Sequence, residues 1–282
     1  GRLFSKVDDF LWVGSANRRL YQAMGVPQGK VHLAPYCVDN ARVAKEAGEI
    51  RKSEFGVRSS ESGVRSAEVG IRNSKSEIRN SWKIPTDAFC VLFCGKFIGK
   101  KRPGDLVAAV RRLERAEGGG LKAEGGIHLL FVGSGELGSE LRAVCRVVFD
   151  ADNSSSSLIP HPSSFAPHAS FAGFLNQTQI PRAYAAADCL VLPSDHGETW
   201  GLVVNEAMAS GVPCVVSDAC GCAEDLVEPE LRYPCGDVGA LAKAIAHVRD
   251  NREALAARCR ERVRAFDLGA TVDAVAGIWN HE

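Results

Sequence analysis

Two glutamates and two lysines in this chain have the types and spacing of a ligand site. Glu198 and Glu206 are separated by seven residues in PSDHGETWGLVVNEAMASGVPCVVSD (193–218), the first in a glycine-bearing turn and the second inside a predicted helix from about Trp200 to Ser210. An apolar run through Leu190, Val191 and Leu192 precedes the turn, Gly211 stops the helix, and a second apolar strand ends at Ser217. Carboxylates accept hydrogen bonds from sugar hydroxyls. A helix start left free of side-chain bulk by Gly201, with Thr199, Trp200 and Leu202 around it, offers N–H groups and a positive dipole end to a phosphate. A nucleotide sugar carries both groups. Spacing alone is equally met by two solvated glutamates in an ordinary soluble protein.

The lysines lie upstream in FCVLFCGKFIGKKRPGDLVAAVRRL (89–113). A buried strand from Cys90 to Cys94 reaches Gly95, and a loop carrying Lys96, Lys100, Lys101 and Arg102 follows. A helix then begins near Pro103, with Leu106, Val107, Val110 and Leu113 on one face. Ligands of open parallel sheets bind at the carboxyl ends of strands, so this basic loop is placed to neutralise a diphosphate. As a bare pattern it is also an ordinary solvated turn. The next unit repeats the plan: strand Ile127 to Val132, turn Gly133-Ser134-Gly135-Glu136, and a predicted helix from Leu137 to about Val148. FAGFL (171–175) reads as another short strand end, followed by a helix from Gln179 to Ala186 and a strand from Asp188 to Leu192.

Strand and helix alternate throughout, which predicts an α/β fold: a Rossmann-like parallel sheet between helices. The 282 residues are 45% hydrophobic, ample for a core, and 34 basic residues balance 34 acidic ones. That balance gives no general case for nucleic acid or an acidic membrane. No apolar run is long enough to span a bilayer and GRLFSKVDDF lacks a signal-peptide core, so a cytoplasmic chain is expected. Ten cysteines lack paired Cys-x-x-Cys spacing; Cys90, Cys94, Cys189 and Cys214 fall in apolar strands and read as small core residues, with no metal site. Two stretches interrupt the alternation. Residues 53–80 are four seven-residue copies, SEFGVRS, SESGVRS, AEVGIRN and SKSEIRN, and 151–168 are rich in Ser and Pro. One constant apolar position per copy cannot make a coiled-coil seam, so insertions over about 50–82 and 151–168 are expected.

The string from Glu198 to Pro213 resembles the donor-site signature of retaining GT-B glycosyltransferases of family 4 type, also called glycosyl transferases group 1. Glu198, Glu206, Ala207, Met208, Ala209, Gly211 and Pro213 carry the likeness. The family's Gly-Arg with a lysine six residues after the glycine is similar to Gly95, Lys96 and Lys101, Lys96 standing where arginine is usual. Lysine keeps the charge but not the two-pronged grip on phosphate. WVGSANRRLYQAMGVPQGKVHLAPYCVDN (12–40) resembles the passage from the first domain into the second. The resemblance implies transfer of a sugar from a nucleoside diphosphate sugar, with retention of configuration and no cofactor, to an unidentified acceptor: a glycan, a lipid-linked molecule or a small molecule. Lys96, Lys101 and Glu198 are then the catalytic candidates. Gly95, Gly133, Gly173, Phe174, Leu175, Glu198, Thr199, Trp200, Gly201, Leu202 and Glu206 are the donor-binding ones, with Glu198 on the sugar and Glu206 on the ribose. Residues 1–34 would end a truncated acceptor domain, 35–266 form the GT-B donor domain, and 267–282 a crossing helix whose apolar residues are Val272, Val275, Ile278 and Trp279. The missing domain leaves room for peripheral membrane contact. Two other readings fit the same residues, an inactive nucleotide-binding fragment and a GT-B nucleotide-sugar epimerase.

Overall fold

A computed structural model of the chain describes residues 4–52, 74–116, 126–152 and 166–279. Seven strands, β3 (Phe89–Cys94), β4 (Ile127–Val132), β5 (Arg146–Asp150), β6 (His168–Phe171), β7 (Cys189–Leu192), β8 (Cys214–Ser217) and β9 (Arg232–Tyr233), form one parallel sheet in the order β5-β6-β4-β3-β7-β8-β9. Every pairing in it is parallel, with β3 and β4 in register from Phe89 opposite Ile127 to Cys94 opposite Val132. The central strands are unbroken apolar runs, Cys90, Val91, Leu92 and Phe93 all being inaccessible to solvent. Such strands need cover on both faces, and the connecting helices supply it. On leaving β3 the chain builds β4, β5 and β6 to one side, then crosses back to start β7 on the other. The cleft between the carboxyl ends of β3 and β7 is therefore the switch point where such sheets take ligands.

The connecting helices are α2 (Asn40–Lys52), α3 (Lys75–Ser81), α4 (Pro103–Ala116), α5 (Gly138–Val144), α6 (Ile180–Ala186), α7 (Leu202–Ala209), α8 (Ala223–Leu226) and α9 (Val238–Val263). Helix α4 packs on α9, α2 packs on α6 and α7, and α3 packs on α6. Asp237 caps α9 by accepting from the Ala240 N–H at 2.9 Å, and a non-helical Asn251 kinks the helix midway. Before the main sheet, β1 (Phe10–Trp12) and β2 (Val31–Leu33) make a two-stranded parallel pair around α1 (Ser15–Ala23). The C-terminal α10 (Leu268–Trp279) lies beside β2. Its Leu268, Val272, Val275 and Trp279 are exposed, while Ile278 is half-buried.

Three local expectations are corrected. The helix expected from Leu137 to Val148 stops at Val144, and Arg146–Asp150 becomes the edge strand β5. Val147, Val148 and Phe149 favour a pleated strand, and Arg142 fastens it by donating to Asp150 at 2.6 and 2.9 Å. The last repeat copy, SKSEIRN, is not an excursion. It opens α3 with a capping box between Ser74 and Glu77, and its Ile78 and Arg79 are 0% and 3% exposed. The later boundary moves too, since β6 begins at His168 and Ala166 is buried. Residues 53–73 and 153–165 lie outside the described residues.

Candidate active site

The loops after β3, β4, β6, β7 and β8 are stitched to one another along the carboxyl edge. Gly95 N–H donates to Val132 O at 2.9 Å, Phe97 N–H to Ser134 O at 2.9 Å, and Gly133 N–H to Gly173 O at 2.8 Å. Gly133 has φ +126°, and a Cβ there would lie 2.1 Å from the Gly95 carbonyl oxygen, so only glycine lets these loops approach. On the far side of β3, Asp195 N–H donates to Lys100 O at 2.9 Å and Gly221 N–H to Glu198 O at 3.1 Å. The backbone thus fixes the separation of the basic loop and the glutamate turn before any ligand arrives.

Within this frame Lys101 and Glu198 form an ion pair, their side chains only 20% and 13% exposed. Burial pushes the Lys101 pKa below its ordinary value. Lys96 is exposed and pairs with no acid among the described residues, Lys100 reaches Gly197 O at 3.4 Å, and Arg102 is held by Asp105 at 2.8 Å. Of the basic loop, Lys96 thus keeps its charge unpaired among the described residues, Lys101 is engaged by Glu198, and Arg102 serves the loop itself.

Gly201 opens α7 in the left-handed conformation at φ +105°, and no side chain caps that helix start. A Cβ on Gly201 would meet Leu192 Cδ2 at 2.6 Å. Leu202 is exposed at the first helical position, Thr199 is exposed before it, and their N–H groups precede the first internal bond, from Val204 N–H to Gly201 O at 2.8 Å. One turn on, Glu206 is half-buried, and its Oε2 accepts a hydrogen bond from the Tyr184 hydroxyl at 2.5 Å. Burial raises the Glu206 pKa, with the Tyr184 hydrogen bond and the Arg42 charge opposing. Between the two charged sites lies Cys94 at the end of β3. Burial pushes its thiol up to about 12, the Glu206 carboxylate adding to the rise and Lys101 opposing it. Cys94 is thus within electrostatic reach of both.

Phe174 is 78% exposed beyond β6, Leu175 packs partly against the core, and Gly173 is tied to Gly133 as above. This places the Gly173 to Leu175 segment on the same edge, next to the β4 turn. Trp200 sits differently from its neighbours. Its ring is buried between Tyr36 and Phe266, and its indole N–H donates to Asn205 Oδ1 at 2.9 Å. A Cβ on Gly14 would fall 2.3 Å from that ring. The Trp200 side chain joins the N-terminal segment to the sheet and leaves only its backbone to the cleft. Tyr184 is the site residue that the sequence reading passed over. The available signal was a tyrosine among alanines on a buried helix, IPRAYAA, since a buried hydroxyl calls for a partner. Among the described residues, no group of three His, Cys, Asp or Glu side chains is placed to hold a metal.

Residues 88–251, more than half of the chain, match the model of the family glycosyl transferases group 1. The chain belongs to this family. Among its curated relatives are a sulfoquinovosyl transferase of Arabidopsis thaliana, 33% identical over 39% of this chain and 24% of the relative, and a D-inositol 3-phosphate glycosyltransferase of Mycolicibacterium smegmatis, 30% identical over 68% of this chain and 40% of the relative. The chain thus spans well under half the length of these relatives. In structure it is similar to Anabaena HepE in complex with UDP, with a TM-score of 0.65 and 16% identity over 98% of this chain and 64% of that one. Sucrose-phosphate synthase from Thermosynechococcus elongatus gives a TM-score of 0.62 and 21% identity over 99% of this chain and 59% of the other. At such identities the likeness concerns the fold, and the seven-stranded parallel sheet flanked by helices matches GT-B glycosyltransferase structures. No helix among the described residues is long and apolar enough to cross a membrane.

Proposed function

We propose that this glycosyltransferase chain is the donor-binding half of a retaining, family 4 type enzyme that moves a sugar from a nucleoside diphosphate sugar to an acceptor. The observation that carries the reading is the meeting of Lys101 and Glu198 at the switch point, beside the uncapped start of α7. A diphosphate entering there meets Lys96, Lys101 and the free N–H groups of the helix start. As the bond from the anomeric carbon to the diphosphate oxygen breaks, these groups take up the negative charge that develops on the leaving group. Glu198, released from Lys101, holds donor-sugar hydroxyls, and Glu206 holds the ribose. Gly173, Phe174 and Leu175 border the base. Residues 35–266 are the donor domain in this reading, and the lysines supply the positive charge without a cofactor.

Names of relatives support a nucleotide sugar as the donor class: a GDP-mannose-dependent alpha-mannosyltransferase of Mycobacterium tuberculosis is 30% identical over 162 residues, and HepE was crystallised with UDP. Isothermal titration of the chain with UDP, GDP and ADP tests the reading. One of them should bind, and Lys96→Ala with Lys101→Ala should weaken it tens-fold or more, at about 1.5–3 kcal/mol for each charge-assisted contact. No binding by any of the three, or binding untouched by the double change, would move the diphosphate elsewhere.

A further inference from the structure

From the Tyr184 to Glu206 contact we infer that Tyr184, on α6, is a positioning residue that sets how strongly this site prefers a ribonucleotide over its 2′-deoxy counterpart. The inference rests on the assignment of Glu206 to the ribose. Glu206 has two oxygens with different surroundings. Oε2 accepts from the Tyr184 hydroxyl at 2.5 Å, and no donor among the described residues reaches Oε1. Tyr184 itself is 0% exposed, its ring locked among the core residues of α6. A rigid, buried donor therefore holds one oxygen of this half-buried carboxylate and leaves the other to a ligand. A vicinal diol needs an acceptor in a defined place, and a carboxylate free to rotate provides a poorer one. The hydroxyl also supports the ionised form of Glu206 against burial, as does Arg42 from α2.

In this assignment the phenol acts on the ribose through Glu206. Its removal should cost recognition of the 2′-hydroxyl and leave the diphosphate and base contacts in place. Sequence spacing could not show this, because Tyr184 and Glu206 are 22 residues apart and on different helices.

The test uses whichever of UDP, GDP and ADP binds the chain, titrated beside its 2′-deoxy form. Wild type should prefer the ribonucleotide by about tenfold, the worth of a hydrogen bond to a charged group at the low end of its range. Tyr184→Phe, which keeps the ring, should cut this preference to about twofold while changing the affinity for the 2′-deoxy form little. In a Glu206→Gln background the same Tyr184→Phe change should alter the preference no further. Equal losses for both nucleotides, or an undiminished drop in the Glu206→Gln background, would overturn the inference. Should Tyr184→Phe not fold, 3-fluorotyrosine at position 184 retains ring and hydroxyl. Its fluorine resonance should move with the ribonucleotide and much less with the 2′-deoxy form, and identical shifts count against it. If none of the three nucleotides binds, it is the donor-site reading that has failed, and the inference falls with it.

Discussion

Glu198→Gln removes one charge of the Lys101 pair while keeping the side chain's size, and its effects on stability and on binding should point in opposite directions. With Lys101 20% and Glu198 13% exposed, the pair is mostly desolvated. Breaking a fully buried pair typically costs about 3–5 kcal/mol, because the survivor is left uncompensated, and the residual exposure here brings the expectation to about 2 kcal/mol for either Glu198→Gln or Lys101→Met. Lys101→Met with Glu198→Gln leaves no stranded charge, so the double variant should be less destabilised than the sum of the singles by about 1–2 kcal/mol. Denaturant unfolding at neutral pH reads all four corners of this cycle.

Binding separates the partners. In the free chain Glu198 competes with a diphosphate for Lys101, so Glu198→Gln releases the lysine, and the Kd for free nucleoside diphosphate should hold or fall. Lys101→Met removes a charge-assisted contact and should raise that Kd at least about tenfold. The intact donor should respond to Glu198→Gln in the other sense, losing affinity relative to the free nucleotide, because only the donor carries the sugar that Glu198 would hold. Additive stabilities across the cycle would refute the energetic coupling. A loss of free-nucleotide affinity in Glu198→Gln as large as that in Lys101→Met would refute the competition.

Other outcomes follow from named contacts. Asp188 is buried, which by itself raises its pKa, but Lys75, Arg79 and the Cys90 N–H hold it down at about 2 against an ordinary 3.8. Its folded pKa is depressed, so its contribution, about 2 kcal/mol, is present above pH 3.8 and should fade as pH falls toward 2, which acid unfolding of wild type and Asp188→Asn compares. Ile78→Ala, in the last repeat copy, should cost about 2–4 kcal/mol by thermal or denaturant melting, since the side chain is wholly buried. Glu206 has a raised pKa, so nucleotide affinity should fall as pH drops from neutral through that value while the residue's own destabilising effect on the fold lessens; Glu206→Gln should flatten both trends in titrations and melts run from neutral pH down to the ordinary carboxylate range. Gly133→Ala should separate the β3 and β4 loops and lower both melting temperature and nucleotide affinity.

The sheet could be read from sequence because its strands carry their instructions locally. Cys90 to Cys94 and Cys189 to Leu192 are apolar throughout, Ile127 to Val132 is apolar but for His128, and glycine or a charged turn follows each. The carboxyl-edge placement of Lys96, Lys101, Glu198 and Glu206 followed from the same alternation. What sequence hid was decided by partners far along the chain. SKSEIRN looked like its three sister copies, yet Arg79 finds Ala186 O at 2.8 Å and Asp188 at 2.6 Å, more than a hundred residues away. Trp200 lay inside the site string, but a glycine at position 14 and an asparagine at 205 draw its ring into the joint instead. The helical pattern from Leu137 ran on to about Val148, but β5 begins at Arg146 and Arg142 bonds Asp150, a contact that periodicity does not encode.

Two charged clusters of this chain stand at opposite edges of one sheet, and the contrast between them bears on how its stability and its chemistry relate. At the amino edge Asp188, just before β7, gathers Lys75 at 3.0 Å, Arg79 at 2.6 Å and Arg252 at 2.6 Å. These come from α3 and α9, on separate parts of the chain, so one carboxylate ties together elements that the sheet's hydrogen bonds leave free. Its charges are saturated by protein partners, and nothing in that arrangement waits for a ligand. At the carboxyl edge of the sheet, Glu198 pairs with Lys101, Lys96 pairs with no acid among the described residues, and no side chain caps the start of α7. Here the polar groups are under-satisfied by the protein alone, which is the condition under which a charged ligand gains more than it disturbs. Because the two clusters stand at opposite edges of the sheet, substitutions at Asp188 should shift unfolding with little effect on nucleotide affinity in the folded fraction, and substitutions of Lys96 should do the reverse.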